Sequence, residues 1–214
     1  MLPTFEEVKP TIKKIGNHLL QHLITEEDPE PFKLTGVIEE NYRTVYHYFE
    51  QNPKFKAPGR SFQKGLLLHG KVGSSKTLMM KVYRIMLRSH KNRPHFEILD
   101  TNSIVREFLI DKGGFEVIEK YSRKHRYSDG DPKGLCIDDL GMEDTRAKSF
   151  GNESNVIGDI LFARYNLMMD RGMLTFATSN YPPVKLGDLY GERVSDRMME
   201  MFNMIHCKGT SLRK

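Results

Sequence analysis

Long apolar runs are absent from this sequence, and cysteine is scarce. No apolar run approaches the roughly 20 residues that a membrane-spanning helix needs. The first ten residues, MLPTFEEVKP, carry acids early and lack the apolar core of a secretory signal. We therefore expect a cytoplasmic protein. The two cysteines, Cys136 and Cys207, lie far apart in apolar stretches, so we interpret them as buried thiols and not as a disulfide or metal ligands.

The overall composition is that of a soluble globular protein. Hydrophobic residues make up 38% and charged residues 29% of the 214 residues, which suits one domain of ordinary size with a small appendage. The formal net charge of +5 is compatible with binding to nucleic acid. Many basic proteins bind none, so the distribution of this charge matters more than its sum.

The first 50 residues predict two helices. Ile12, Ile15, Leu19 and Leu23 are spaced three and four residues apart, as on one apolar helix face, and a similar pattern resumes in VIEENYRTVYHYFEQN. The stretch that follows, PKFKAPGRSFQ, contains two prolines and a glycine and is typical of a connector. We therefore divide the chain into a helical segment, residues 1–56, and a main domain, residues 57–214.

The main domain alternates short apolar runs with longer helical patterns. The runs GLLLHG, GLCIDD and MLTFATSN are apolar without a break, as expected of parallel strands buried on both faces. We predict an α/β sandwich, with helices on both sides of a five-stranded parallel sheet. The predicted strands are 65–69, 96–99, 134–138, 173–178 and 202–207, and the predicted helices are 76–89, 102–110, 115–124, 154–170 and 186–200.

The stretch GKVGSSKT follows the first predicted strand and opens a helix. It matches the phosphate-loop pattern G-x-x-x-x-G-K-[ST] except that Ser75 replaces a glycine. Such a loop binds phosphate through successive backbone N–H groups, a lysine and a hydroxyl on Mg²⁺. We expect Ser75 to weaken the fit without abolishing it, provided that its backbone avoids the left-handed region. The predicted nucleotide-binding residues are Gly70, Lys71, Val72, Gly73, Ser74, Ser75, Lys76 and Thr77.

Polar residues follow two of the other strands. Asp138 and Asp139 end the run LCIDD, at the carboxyl edge where open α/β sheets bind ligands. The first suits a magnesium ligand together with Thr77, and the second suits a general base for an attacking water. Asn180 ends TFATSN and could hydrogen-bond the γ-phosphate or that water. The alternatives are a solvated acid pair and an ordinary turn asparagine.

Two arginines near the carboxyl terminus share one helix face. Arg193 and Arg197 are four residues apart in GERVSDRM. Helix-surface arginines are usually solvated or paired with acids, here Glu192 and Asp196. Their spacing alone therefore assigns them no function.

Together, GKVGSSKT, LCIDDLG, TFATSN, GERVSDRM and CKGTSLRK resemble the AAA+ ATPases of the DnaC/DnaI helicase-loader and IstB transposition-helper group, over residues 57–214. The resemblance implies a RecA-like P-loop fold without a full carboxyl-terminal lid, and a partner-binding role for residues 1–56. It implies that Lys76 and Thr77 belong to Walker A, that Asp138 and Asp139 form Walker B, and that Asn180 is sensor 1. Arg197 matches the finger that completes a neighbouring subunit's site, with Arg193 as the second candidate.

A basic and aromatic segment, EKYSRKHRYSDGDPKG, lies between the second and third strands. Basic groups and rings are the usual means of binding single-stranded nucleic acid, although a solvated polar loop fits this segment equally well. An extra helix that faces DNA occurs near here in initiator-type AAA+ proteins, and this favours DNA contact. The candidate contacts are Tyr121, Arg123, Lys124, Arg126 and Tyr127.

The resemblance predicts an ATP- and Mg²⁺-dependent protein that loads a replicative helicase onto single-stranded DNA. Hydrolysis is expected to be weak and to depend on DNA and on self-association, with Lys76, Asp139, Asn180 and Arg197 as the catalytic residues. One alternative is a transposition helper whose partner is a transposase. Another, suggested by Ser75, is a switch or scaffold that binds nucleotide without hydrolysing it.

Overall fold

The architecture is taken from a computed structural model, which describes residues 3–21, 31–88, 95–110, 114–125, 133–149 and 152–209. Leu23, Arg126 and Tyr127, which the sequence analysis singled out, lie outside these ranges. Within them, every helix is too short or too polar to cross a membrane.

Five parallel strands form the central sheet, as predicted. They are β1 (Gly65–His69), β2 (Phe96–Asp100), β3 (Gly134–Leu140), β6 (Thr175–Ser179) and β7 (Phe202–His206). Their spatial order is β2-β3-β6-β1-β7, so the first and fourth of these strands along the chain are neighbours in the sheet. All the carboxyl ends therefore meet at one edge, where the phosphate loop, the two aspartates and Asn180 follow their strands.

Both faces of the sheet are buried, which explains why its strands lack polar alternation. Leu66, Leu67 and Leu68 of β1 are fully inaccessible to solvent. Leu66 and Leu68 join one apolar cluster with Cys136 and Phe176, whereas Leu67 joins the cluster on the opposite face. The expectation of a parallel sheet buried on both faces is confirmed.

Six helices of the main domain flank the sheet. They are α3 (Lys76–Leu87), α4 (Thr101–Ile110), α5 (Phe115–Tyr121), α6 (Val156–Arg171), α7 (Pro183–Tyr190) and α8 (Glu192–Met201). The prediction of one helix over 186–200 is wrong, because α7 ends and α8 begins at Gly191. Gly191 has φ +85° and ψ 158°, a conformation that glycine adopts readily and that no helix contains.

A small antiparallel hairpin between β3 and α6 was not predicted. It consists of β4 (Ala147–Ser149) and β5 (Asn152–Ser154). Strands of three residues are too short to show a periodic pattern in the sequence. Helix α6 then begins at Val156, where the side chain of Asn155 accepts a hydrogen bond from the Gly158 N–H.

The two amino-terminal helices, α1 (Phe5–Gln21) and α2 (Gly36–Phe49), share an apolar cluster with the sheet. Phe49 at the end of α2 stacks on Phe96 of β2, with ring centroids 5.8 Å apart, and lies 5.6 Å from the ring of Phe176 in β6. A short 3₁₀ turn, Pro53–Phe55, leads from α2 toward β1. The division of the chain near residue 57 stays a prediction, since the two parts are in contact throughout this cluster.

Candidate nucleotide-binding site

The loop between β1 and α3 packs tightly against the end of β7. The N–H of Cys207 donates to the His69 carbonyl at 2.7 Å. A Cβ added at Gly70, where φ is +148°, would lie 2.4 Å from the Cys207 carbonyl oxygen, so only glycine fits there. Gly73 also has a positive φ, of +85°. The loop therefore turns through backbone conformations that glycine adopts more easily than any other residue.

Ser75 does not meet the condition under which the loop was expected to tolerate a serine. Its φ and ψ are +67° and +12°, which is the left-handed region, and it caps the start of α3. Its hydroxyl oxygen is buried and makes no well-formed hydrogen bond with a described residue, and the same holds for the hydroxyl of Tyr42 on α2. Burial raises the pKa of Tyr42, and the neighbouring Ser75 hydroxyl acts to lower it. The serine thus faces the amino-terminal helices.

Lys76, the first residue of α3, connects the loop to the neighbouring strand. Its side chain is buried, and its Nζ donates to the carbonyls of Gly70 at 2.7 Å and Lys71 at 3.0 Å, and to Asn180 Oδ1 at 3.0 Å. Burial lowers the pKa of Lys76, and the nearby thiol of Cys207 and the two aspartates offset only part of this shift. All of its hydrogen-bond acceptors are therefore neutral oxygens, in a position where an anion would be a stronger partner.

Thr77 connects the loop to the first of the two aspartates. Its Oγ1 donates to Asp138 Oδ1 at 2.9 Å. The same carboxylate oxygen accepts a hydrogen bond of 2.5 Å from Thr178 Oγ1, which projects from β6. Asp138 is 7% exposed, so one edge of its carboxylate is held by two hydroxyls in a buried setting. The predicted metal-binding pair, Thr77 and Asp138, is thus in direct contact.

Asp139 has an unusual backbone. Its φ is +60°, and β3 shifts register against β6 between Ile137 and Leu140. The Asp139 N–H donates to Thr178 Oγ1 at 3.0 Å, and its carbonyl accepts from Thr101 Oγ1 at 3.2 Å. The second predicted acid therefore sits on an irregular part of the strand, at the same edge as Lys76.

A third acid, Glu143, lies just beyond the aspartate pair. Its Oε1 accepts from the Tyr190 hydroxyl at 2.5 Å, and its Oε2 accepts from the Gly141 N–H at 3.0 Å. The Gly141 N–H also donates to the Tyr190 oxygen at 2.8 Å. Glu143 is 7% exposed. This network ties the turn after β3 to the end of α7, and sequence reasoning missed it.

The two candidate arginines lie against α6. The Arg193 guanidinium is 4.0 Å from the ring centroid of Phe162, and that of Arg197 is 4.7 Å from the ring of Tyr165. Arg197 also pairs with Glu200 at 3.2 Å. Neither arginine forms a hydrogen bond or ion pair with the described residues of its own phosphate loop. The geometry is compatible with a role toward a second molecule.

The basic segment, residues 119–134, is described at residues 119–125 and again from residue 133. Arg123 and Lys124 are exposed, and Arg123 lies 3.7 Å from Glu119. Tyr121 is 7% exposed and donates to Glu107 Oε2 at 2.6 Å, so stacking of a base on its ring would require a local rearrangement. A contact between this segment and DNA stays a prediction.

The residues of this site fit a nucleotide triphosphate with Mg²⁺. In the described part of the chain, the backbone N–H groups of Val72, Gly73 and Ser75 have no hydrogen-bond acceptor. The buried ammonium of Lys76 lies beside them with neutral acceptors only. Free N–H groups at the amino end of a helix, together with a lysine, are the usual means of holding phosphate oxygens.

Sequence reasoning found the ends of the strands but missed residues that act from neighbouring elements. Thr178 lies inside TFATSN and Thr101 directly follows β2, and buried threonines on strands are too common to single out. The position of Tyr42 beside Ser75 has no local signal, because 33 residues separate the two.

Comparisons with known proteins show which fold this is. Neither protein-family models nor curated proteins yield a match. The solved structure of the DnaC helicase loader aligns with a TM-score of 0.58 and 22% identity over 83% of this chain and 94% of that one. DnaI aligns with a TM-score of 0.56 and 21% identity over 94% and 93%.

AMPPCP-bound DnaA from Aquifex aeolicus aligns with a TM-score of 0.53 and 17% identity, over 87% of this chain and 51% of that one. Identities this low show the fold and leave activity and partners open. Counted along the chain, the five strands of this sheet have the order 2-3-4-1-5, which matches the DnaC and DnaI structures. The chain therefore has the α/β fold of the AAA+ type, as its sequence motifs predicted.

Proposed function

We propose that this protein is an AAA+ ATPase that loads a replicative DNA helicase onto single-stranded DNA. The observation that carries the proposal is the convergence of three strand ends. Lys76 contacts Asn180, and Thr77 contacts Asp138, so the loop after β1 is joined to the residues after β6 and β3. In a sheet of this order, that edge is where a nucleotide is expected to bind.

The loop and its neighbours divide the binding of nucleotide between them. The N–H groups of Val72, Gly73 and Ser75 and the Lys76 ammonium would hold the phosphates, and Thr77 and Asp138 would hold Mg²⁺. Bound ATP would supply the phosphoryl group, and Mg²⁺ would neutralise charge on its oxygens. An anion in the loop offers Lys76 a charged acceptor, which offsets the burial that lowers its pKa.

The remaining polar residues suit hydrolysis. Asp139 would take a proton from an attacking water, and the amide of Asn180 would orient that water. Arg197 of a second copy would approach the site to stabilise the developing charge. Its stacking on Tyr165 holds the guanidinium beside α6, and the Arg197 side chain is 37% exposed.

The likeness to DnaC and DnaI supports helicase loading above the alternatives. A transposition helper would use the same nucleotide site, and it differs only in its partner. A nucleotide-binding switch without hydrolysis remains the alternative that Ser75 favours, because its left-handed backbone places a side chain in the loop. Each alternative predicts a different experimental result.

The first experiment measures nucleotide binding and turnover. Calorimetry with ATP and Mg²⁺ should show binding to the native protein and to Asp139→Asn, but much weaker binding to Lys76→Ala. Steady-state hydrolysis with and without single-stranded DNA should be measured for the same three proteins. We expect stimulation by DNA in the native protein only. Binding without hydrolysis, with turnover gained in Ser75→Gly, would favour the switch.

The second experiment identifies the partner. The native protein is mixed with the replicative helicase of the source organism and, separately, with a transposase, each with ATP and Mg²⁺. Helicase loading predicts a complex with the helicase and faster appearance of helicase on circular single-stranded DNA. A complex with the transposase alone would replace the loading proposal with a transposition role.

A further inference from the structure

We infer that Thr178 and Thr101 are positioning residues for the acid pair, and that their hydroxyls hold Asp139 in the backbone conformation from which it acts. This inference rests on the proposed ATPase function. It assigns a role to two buried side chains that the nucleotide-binding motifs do not include.

The backbone of Asp139 needs such support. A residue with a side chain enters the left-handed region at a steric cost, although aspartate does so more often than most. Asp139 does so at φ +60°, at the end of a strand whose other residues are extended. Strained residues of this kind persist where surrounding contacts hold them, and they cluster at functional sites.

The two threonines hold both sides of this residue. Thr178 Oγ1 accepts the Asp139 N–H at 3.0 Å, and Thr101 Oγ1 donates to the Asp139 carbonyl at 3.2 Å. Both threonines are completely inaccessible to solvent, whereas Asp139 is half-buried. The peptide groups before and after Cα of Asp139 are therefore fixed from β6 on one side and from the start of α4 on the other.

Thr178 also connects the two acids. A hydroxyl has one proton to donate and two lone pairs to accept with. Thr178 donates its proton to Asp138 Oδ1 at 2.5 Å while it accepts from the Asp139 N–H. One side chain thus sets the orientation of the proposed metal ligand and the backbone of the proposed base. Among the described residues of the acid pair, the Thr101 hydroxyl donates to the carbonyl of Asp139 and to neither carboxylate.

This difference separates positioning from general stability. Loss of the Thr101 hydroxyl should disturb Asp139 alone, and loss of the Thr178 hydroxyl should disturb both aspartates. If the two threonines served stability alone, both losses would lower the free energy of unfolding, and kcat and Mg²⁺ affinity would not respond differently to them.

The test uses threonine-to-valine variants, which keep side-chain shape and remove the hydroxyl. Thr101→Val should lower kcat about 10- to 100-fold with little change in KM for ATP or in Mg²⁺ affinity, because displacement of a reacting group by about 1 Å has effects of this size. Thr178→Val should lower kcat similarly and also weaken Mg²⁺-dependent binding of nucleotide. Thr178→Ser and Thr101→Ser, which restore a hydroxyl, should recover most of the native kcat.

Thr175→Val is the matched control. Thr175 is a buried threonine on the same strand, and its hydroxyl accepts from Arg164 Nε instead of contacting an acid. This variant should be destabilised and yet retain kcat at a temperature where it is folded. Valine variants of Thr101 and Thr178 with native kcat would overturn the inference.

A second readout does not depend on hydrolysis. In a crystal structure of the double variant Thr101→Val/Thr178→Val, we expect Asp139 to leave the left-handed region. A φ that stays near +60° would overturn the inference. Absence of turnover in the native protein would instead contradict the proposed function, and the crystal structure would still decide whether the threonines hold Asp139.

Discussion

Two residues at the candidate nucleotide-binding site have a positive φ that is uncommon for residues with a side chain. Ser75 has φ +67° and Asp139 has φ +60°. Ser75 lies in the loop that would hold the phosphates, and Asp139 lies at the end of the neighbouring strand β3. The motifs that single out these two residues do not indicate their backbone conformation. Two predictions can be tested at the scale of single residues.

Replacement of Ser75 by glycine should stabilise the protein. Glycine enters the left-handed region without a steric cost, and the gain over a residue with a Cβ is about 1 kcal/mol. Ser75→Ala is the control, because it also removes the unsatisfied hydroxyl but keeps the Cβ. The free energy of unfolding in urea should be higher for Ser75→Gly than for Ser75→Ala. Equal values would mean that the backbone at this position is unstrained.

His125 should make stability depend on pH. Burial lowers its pKa from 6.5 to about 4, with a further contribution from the nearby Arg164, while Glu97 and the Gly134 carbonyl oppose the change. The unfolded chain then binds a proton more readily than the folded chain, so this contribution is complete above pH 6.5 and is lost as the pH falls toward 4. Urea unfolding of the native protein and of His125→Gln between pH 4 and 7.5 should show a steeper decline for the native protein. Parallel curves would contradict the assignment.

At the scale of elements, Arg164 on α6 connects several chain segments. Its guanidinium is fully buried and donates to Thr175 Oγ1 and to the carbonyls of Tyr121, Lys133 and Leu174. These contacts join the end of α5 to the starts of β3 and β6. Burial lowers the pKa of Arg164 to about 9.

Loss of this guanidinium should destabilise the protein strongly. Arg164→Met fills most of the space but removes the guanidinium that donates to three carbonyls, one of them on a buried residue, and we expect the free energy of unfolding to fall by about 3 kcal/mol. Arg164→Lys should recover little, because one ammonium cannot reach acceptors on three segments. Thermal unfolding measures both variants. A change below about 1 kcal/mol for Arg164→Met would show that water satisfies these carbonyls.

At the scale of the whole molecule, the amino-terminal helices are built into the core. Tyr42, Val45 and Phe49 of α2 are almost fully buried, in the cluster that covers one face of the sheet. We therefore expect a fragment of residues 57–214 to lack cooperative unfolding, because this face would be exposed.

Phe49→Ala in the full chain should lower the free energy of unfolding by about 3–5 kcal/mol. Circular dichroism with urea tests both, and a stably folded fragment would support residue 57 as a domain boundary.

Self-association can be tested by mixing inactive chains. If Arg197 acts on a neighbouring molecule, Lys76→Ala and Arg197→Ala should each be inactive alone. An equal mixture would contain sites with an intact loop from one chain and an intact arginine from the other, about a quarter of all sites for random assembly. ATPase activity should return only in the mixture. No recovery would mean that the arginine acts within its own chain or has no role in hydrolysis.

The sequence alone determined the fold class and the location of the candidate site. Continuous apolar runs identify buried parallel strands because both faces of such strands contact helices. The spacing of glycine, lysine and threonine in residues 70–77 predicts the loop, because these residues act within one turn of backbone. The acids and Asn180 could be assigned to the same edge, since parallel strands end together.

The tertiary structure decided how these residues are held. Thr178 lies 40 residues from Asp138, Thr101 lies 38 residues from Asp139, and Lys76 lies 104 residues from Asn180. Arg193 and Arg197 stack on rings of α6, and Tyr121 turns its hydroxyl toward Glu107. Such contacts depend on the packing of separate elements, whereas sequence patterns report mainly the local periodicity and turn chemistry of each element by itself.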